Sequence, residues 1–255
     1  MMFDSHVHTE VSADSEMSLE AARQKAAALG LGLVLTEHQD FDYPGNLDFT
    51  FSPERYWKKY GAFREKELRL GVEIGLEPGK AARCLDFIAQ VPFDLVIGSI
   101  HLLERQDIYY PEFYEGKGQD EVYRQYLQAM EACLREYPFL DVCGHIDYIA
   151  RYAPYEDPAV QYAAYQDEID AVLRAAIEQD TLMELNTRRL AERLARKELV
   201  PIYKRYHELG GRYVTLGSDA HTEDAIGSNF AAAGELAEAC GLKIVTFCQR
   251  KMQQI

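Results

Sequence analysis

The chain has 255 residues, 47% of them hydrophobic, and carries 42 acidic against 27 basic side chains for a formal charge of −15. This length suits one large α/β unit, the acidity argues against a general nucleic-acid binder with its basic patch, and no run approaches the ~18 apolar residues of a membrane-spanning helix. Five cysteines with no CxxC pair, and an N-terminus lacking the basic and apolar regions of a secretory signal, predict a cytoplasmic protein without a disulfide framework.

Short apolar runs alternate with segments of helical period. The first half predicts strand Met2–Val7, helix Ser18–Leu29, strand Leu31–Thr36, helix Pro53–Leu68, strand Leu68–Glu73, helix Gly79–Gln90 and strand Asp94–Ile100. The second half predicts helix Asp120–Glu136, strand Asp141–His145, helix Pro158–Gln179, strand Thr181–Asn186, helix Lys197–Leu209, strand Arg212–Gly217 and helix Ile226–Ala239. A last apolar run, Leu242–Phe247, is either an eighth strand or a tail. Pro53, Pro158 and Pro201 fall near predicted helix starts, and Gly30 and Gly210-Gly211 where helices should end. Apolar strands separated by helices predict βα units around a parallel sheet. No linker divides them, so residues 1–255 are expected to form a single domain.

The placement of the histidines carries the most information. His6 and His8 follow the first strand, and His38, His101, His145 and His221 each stand at or just past the end of a later one. His207, inside a predicted helix, is the seventh and the exception. In an α/β barrel the C-terminal strand ends converge on the face where active sites are built. Asp4, Glu37, Glu73, Asp147, Glu184 and Asp219 lie near the same ends. H-x-H and D-x-H put alternate residues on one side of an extended segment. Neutral imidazoles with carboxylates suit Zn, Mn or Fe, and a bridging carboxylate is typical of two-metal hydrolytic sites. A lone strand-end histidine is usually structural; six on one face point to metal.

The motifs Asp4-Ser5-His6-Val7-His8-Thr9, Thr36-Glu37-His38, Gly71-Val72-Glu73, Gly98-Ser99-Ile100-His101, Gly144-His145-Ile146-Asp147 and Gly217-Ser218-Asp219-Ala220-His221 resemble, in order, those of the PHP (polymerase and histidinol phosphatase) metallophosphoesterases. The resemblance runs from residue 4 to about residue 228 and is strongest to stand-alone histidinol-phosphatases. It implies a distorted TIM-like (β/α)7 barrel and two or three divalent ions. By the same resemblance His6, His8, Glu73 and Asp219 would hold one ion, Glu73 would bridge to a second with His101 and His145, and Asp14, His38 and His221 would hold a third. Many relatives have histidine near the position of Asp14, which alternatively caps the helix beginning near Ser18.

Such a site implies hydrolysis of a small phosphate monoester by a hydroxide shared between two cations, with no side-chain nucleophile. The sequence agrees in having no G-x-S-x-G elbow. Arg151 and Arg188, both just past strand ends, are expected to fork onto the phosphate, with Arg189 a poorer candidate. Asp219, His221, Arg151 and Arg188 are the expected catalytic residues. L-Histidinol phosphate is the expected substrate, in histidine biosynthesis, and its amine calls for a carboxylate among Glu37, Asp40, Asp42, Glu77 and Glu104. Tyr109-Tyr110 and Phe113-Tyr114 are read either as a lid or as a loop that covers the barrel rim. The alternatives are another phosphate ester (a nucleotide, an oligonucleotide end or phosphotyrosine), a non-catalytic metal-binding module, and an amidohydrolase-type barrel, which also begins with H-x-H. No nucleic-acid or membrane partner is expected.

Overall fold

A computed structural model describes the whole chain, Met1–Ile255. Its first half runs β1 (Phe3–Val7), α1 (Leu19–Leu29), β2 (Gly32–Gln39), α2 (Pro53–Tyr60), β3 (Leu68–Gly75), α3 (Ala81–Ile88), β4 (Val96–Ser99) and the small hairpin β5 (Leu102–Leu103) and β6 (Gln106–Asp107). The second half runs α4 (Gln119–Glu136), β7 (Val142–Cys143), α5 (Gln166–Glu178), β8 (Leu182–Asn186), α6 (Arg193–Leu209), β9 (Tyr213–Gly217), α7 (Phe230–Ala239), β10 (Lys243–Cys248) and β11 (Lys251–Gln254).

The main sheet has the order β1-β2-β3-β4-β7-β8-β9-β10-β11. Every neighbouring pair from β1 to β10 is parallel, and β11 returns antiparallel. The two ends of the seven-strand run meet at the top. His8 N–H donates to the Ala220 carbonyl at 2.9 Å, Asp219 N–H to the His6 carbonyl at 2.8 Å, and Val7 and Ala220 form a parallel bridge. The result is the distorted (β/α)7 barrel expected from the motifs.

Strand periodicity separates the barrel's two faces. On β3, Leu68, Leu70, Val72 and Ile74 pack under the helices in the main core, while Arg69 reaches the bottom of the barrel and Glu73 its top. Inside, a small apolar layer of Phe3, Val34, Leu95, Ile97, Val142 and Phe247 fills the lower half. Above it the interior is polar. β1 changes face on the way up. Phe3 belongs to the interior layer and Val7 to the outer core, and the register of β1 against β2 shifts between Asp4 and Val7. That irregularity turns the H-x-H pair inward, a common use of a bulge beside a functional site.

Several boundaries differ from the sequence reading. The predicted helix from Pro53 to Leu68 stops at Tyr60 and gives way to a 3-10 turn, because Arg64 is drawn to Asp94 below the barrel at 2.7 Å. The helix expected from Pro158 starts at Gln166; Asp157 accepts from Ala159 N–H and Gln161, and Tyr123 donates to the Pro158 carbonyl, holding that stretch as a loop. Pro201 lies inside α6, which begins at Arg193, not near its start. Leu242–Phe247 does become a strand, β10, which pairs with the base of β9. The turn to β11 holds Gln249 and Arg250 at φ 52° and 61°, and is secured where their N–H groups donate to the Asp94 side chain and carbonyl.

Candidate metal centre

Glu73, at the end of β3 and fully buried, is the hub. Its Oε1 lies 3.0 Å from His145 Nε2, 3.3 Å from His6 Nε2 and 3.4 Å from His101 Nε2; Oε2 lies 3.0 Å from His38 Nδ1 and 3.5 Å from His8 Nε2. Asp219 Oδ1 stands 3.4 Å from His8 Nε2 and 3.8 Å from His6 Nε2. Asp14 Oδ2 stands 3.1 Å from His221 Nε2 and 3.5 Å from His38 Nε2. Asp14 does not cap α1; Ser18 does, accepting from Ala21 N–H. The nine residues named from the sequence therefore converge, although they come from six strand ends and the turn after β1.

A second ring of groups aims the first. The outer nitrogen of His6 bonds Glu184 at 2.7 Å, that of His101 bonds Asp40 at 2.8 Å, and that of His8 bonds Ser12 at 3.2 Å. Ser99 donates to Glu73 at 2.6 Å. Glu184 also accepts from the His145 backbone N–H at 2.8 Å, so it fixes two of the six histidines. Glycines near the strand ends make room for this ring. A Cβ on Gly217 would overlap the Glu184 carboxylate and His6, and one on Gly75 would overlap Asp40.

The charges are strongly coupled. Burial opposes protonation of His6 and His101, but Glu184 and Glu73 beside the first, and Asp40 and Glu73 beside the second, raise both well above the ordinary histidine value. Burial and the neighbouring His38 and His221 hold His8 low, while burial and Arg151 hold His145 low. Burial would raise Glu73 and Asp219, yet the surrounding histidines, with Arg151 for Asp219, keep both ionised. Paired anions amid buried imidazoles suit divalent cations.

The chemistry of the donors fits such ions. His6 Nε2, His8 Nε2 and Glu73 Oε2 are buried with no hydrogen-bond partner, although all three point at the shared centre. Buried polar atoms are almost always partnered. Four sets of three donor atoms lie within 4.8 Å of one another: His6, His8 and Glu73; His6, His145 and Asp219; His38, Glu73 and His101; and His8, His38 and His221. His38 belongs to two of them, with Nδ1 facing Glu73 and Nε2 facing Asp14.

The cluster floors a cavity of about 350 Å³, within the usual range for small-molecule sites. Arg151 and Arg188 both line it. Arg151 is buried, donates to Asp219 Oδ2 at 2.5 Å and Asn186 at 3.0 Å, and lies over Tyr148. Arg188 is more exposed, with Nη1 3.4 Å from the Asp219 carbonyl. Arg189 turns away to Asp147 and Glu192.

Of the carboxylates considered for an amine, Glu37 is taken by Thr9 and Ser12, Asp42 by Arg83, and Glu77 by Lys80. Glu104 sits in the exposed β5–β6 turn. Asp40 borders a small adjoining space but is held by His101. The carboxylate that does line the mouth is Asp107, which the sequence reading missed, along with its partner Tyr43. The lid reading divides: Tyr109 and Tyr110 line the cavity, whereas Phe113 and Tyr114 are buried in the core.

Comparison with known proteins adds the family. The PHP domain profile matches residues 4–188. A protein of Clostridium acetobutylicum described as a probable histidinol-phosphatase is 43% identical, covering 99% of each chain. The histidinol-phosphatase of Lactococcus lactis subsp. lactis is 30% identical over 98% of this chain and 96% of its own. The crystal structure of histidinol phosphate phosphatase from that organism, complexed with zinc, L-histidinol and phosphate, matches with a TM-score of 0.93 and covers 99% of both chains. With its motifs, barrel and strand-end cluster, this chain belongs to the PHP domain family and is similar over its full length to proteins described as histidinol-phosphatases.

Proposed function

We propose that the chain, acting as one domain, is a metal-dependent phosphomonoesterase that hydrolyses L-histidinol phosphate to L-histidinol and phosphate. A cytoplasmic location, in histidine biosynthesis, is part of the same proposal. The observation that carries it is the buried set of unpartnered, converging donors at the floor of a small-molecule cavity. The full-length similarity to a phosphatase that binds zinc, L-histidinol and phosphate supports the choice of substrate.

In this reading His6, His8, Glu73 and Asp219 hold one divalent ion, Glu73, His101 and His145 a second, and Asp14, His38 and His221 a third, drawn from Zn, Mn and Fe. When bound, such ions supply a water of lowered pKa as the nucleophile and neutralise charge on the phosphoryl oxygens. The protein's own part is alignment. Glu184, Asp40 and Ser12 set ring orientations, and Ser99 orients Glu73. Arg151 holds Asp219 and, with Arg188, presents guanidinium forks to the phosphate.

Phosphate release is measured on L-histidinol phosphate, a nucleoside monophosphate, a 5′-phosphorylated oligonucleotide, phosphotyrosine and p-nitrophenyl phosphate, using metal-stripped enzyme resupplied with Zn, Mn or Fe. At least a tenfold preference for L-histidinol phosphate is expected. A smaller preference refutes the substrate assignment, and full activity without metal refutes the mechanism.

A further inference from the structure

Glu37 belongs to the Thr36-Glu37-His38 motif and is fully buried, yet it lies outside the four donor sets and bonds no histidine ring. Its oxygens take the Thr9 N–H at 3.0 Å, the Thr9 hydroxyl at 2.5 Å and the Ser12 hydroxyl at 2.6 Å. Both hydroxyl contacts have the length of an O–H···O⁻ bond. The protons therefore lie on the hydroxyls, and the carboxylate accepts.

That arrangement fixes what Ser12 can do. A serine hydroxyl has one proton to give and two lone pairs. Ser12 Oγ gives its proton to Glu37, accepts from the His38 N–H at 3.1 Å, and stands 3.2 Å from His8 Nδ1. Only a lone pair remains for the ring, so His8 Nδ1 carries the proton. His8 Nε2 is left with a bare lone pair, and it has no hydrogen-bond partner.

The surrounding charge favours the opposite tautomer. His8 Nε2 stands 3.4 Å from Asp219 Oδ1 and 3.5 Å from Glu73 Oε2, and two carboxylates draw an imidazole proton toward themselves. A proton on Nε2 would occupy the lone pair that a cation needs. Ser12 is well placed to compete, because it is buried and tied down on both sides. Its N–H donates to the Thr9 carbonyl at 2.9 Å, its carbonyl accepts from the Ser15 N–H at 3.2 Å, and the Ser15 hydroxyl donates to the His221 carbonyl at 3.0 Å.

We propose that Glu37 is a positioning residue that acts through Ser12: it takes the Ser12 proton, Ser12 must then accept from His8 Nδ1–H, and the tautomer with a free Nε2 is set before an ion binds. The assignment rests on the metal-centre reading above and deepens it. Because Ser12 also holds the His38 N–H, one hydroxyl aligns a ligand of the first ion and the backbone of a ligand of the third.

The test is long-range ¹H–¹⁵N NMR of the histidine rings in the metal-stripped full chain, with the His8 signals assigned by their loss in His8→Asn. Wild type should show the proton on Nδ1. Ser12→Ala, and Glu37→Met, which removes the acceptor but keeps the side-chain length, should move it to Nε2 and weaken zinc binding roughly tenfold to hundredfold in competition with a chelator. Glu37→Gln can still turn its carbonyl to Ser12 and the Thr9 N–H, with its NH₂ on the Thr9 hydroxyl, whose own proton can pass to Tyr60 at 3.2 Å; it should keep the wild-type tautomer. A purely structural role would lower Tm in the variants and leave the ring proton where it was. An Nε2 proton in stripped wild type overturns the assignment without any variant. Ser12→Ala or Glu37→Met spectra that match wild type, or zinc affinities that do, overturn it as well. If Glu37→Met fails to fold, Ser12→Ala and the wild-type spectrum decide. If wild type binds no zinc, the metal reading falls, and the His8 tautomer still decides the role of Glu37.

Discussion

Glu184→Gln isolates the alignment argument in one atom. Glu184 is buried, and both of its oxygens are engaged: Oε1 with His6 Nδ1 at 2.7 Å, Oε2 with the His145 N–H at 2.8 Å and Asn186 Nδ2 at 3.2 Å. Glutamine keeps the volume but offers one acceptor, so its NH₂ must face either the His6 ring or the His145 N–H. Loss of such an outer partner typically lowers metal affinity roughly tenfold to hundredfold, or about 1.4–2.7 kcal/mol. The stranded donor should also cost about 1–3 kcal/mol of stability, which lowers Tm by roughly 2–4 °C per kcal/mol in a chain of this size. The assay is retained metal, measured by elemental analysis after dialysis against graded chelator, alongside thermal unfolding of the metal-free protein. A folded variant that holds metal within twofold of wild type would falsify the claim that Glu184 orients His6 for binding.

Three further perturbations address other parts of the molecule. Arg188→Ala should raise KM for the phosphate ester about tenfold while changing kcat less, because a half-exposed guanidinium at the rim binds rather than transforms; steady-state kinetics with KM within twofold of wild type removes Arg188 from the phosphate site. Gly217→Ala forces a methyl group onto Glu184 and His6 and should cost about 1–3 kcal/mol by overpacking. Urea unfolding measures the loss, and an unchanged midpoint would mean that the two side chains move apart freely. Asp94→Asn should destabilise by about 2 kcal/mol, since it weakens contacts to partly exposed Arg64 and to the Leu70 and Gln249 N–H groups. Burial raises the Asp94 pKa, but Arg64 and those two N–H groups outweigh it and hold the carboxyl below its ordinary value. That stabilisation is present above the unfolded pKa of about 3.9 and disappears as pH falls through the lower folded value. Acid titration of unfolding should therefore show a shallower loss below about pH 4 in the variant than in wild type; superimposable curves would refute it.

The strand-end pattern was legible because it is local. An extended chain repeats every two residues, so His6-Val7-His8 declares its shared face without knowledge of the fold; Asp219 and His221 reach the cluster differently, beyond the end of β9 with Asp219 in left-handed backbone at φ 55°, and not on an extended segment as the D-x-H reading expected. The alternation of apolar runs with helical segments likewise implied a parallel α/β sheet, and the motifs implied the (β/α)7 barrel. The boundary errors at Tyr60 and Gln166 arose where distant partners, Asp94 and Tyr123, overrode local helix propensity.

What the sequence determined by itself was the fold class and the identity of the cluster residues. Only the tertiary structure decided which groups serve them. His6 meets Glu184 across 178 residues, and Asp107 meets Tyr43 across 64. The β1 irregularity that turns His6 inward also has no signal in the apolar pattern. A single chain carries many acids, and local periodicity shows which face each one takes. Which acid stands beside which histidine, and which one borders the cavity, depends on how loops from separate strands pack together, and that is settled only when the barrel closes.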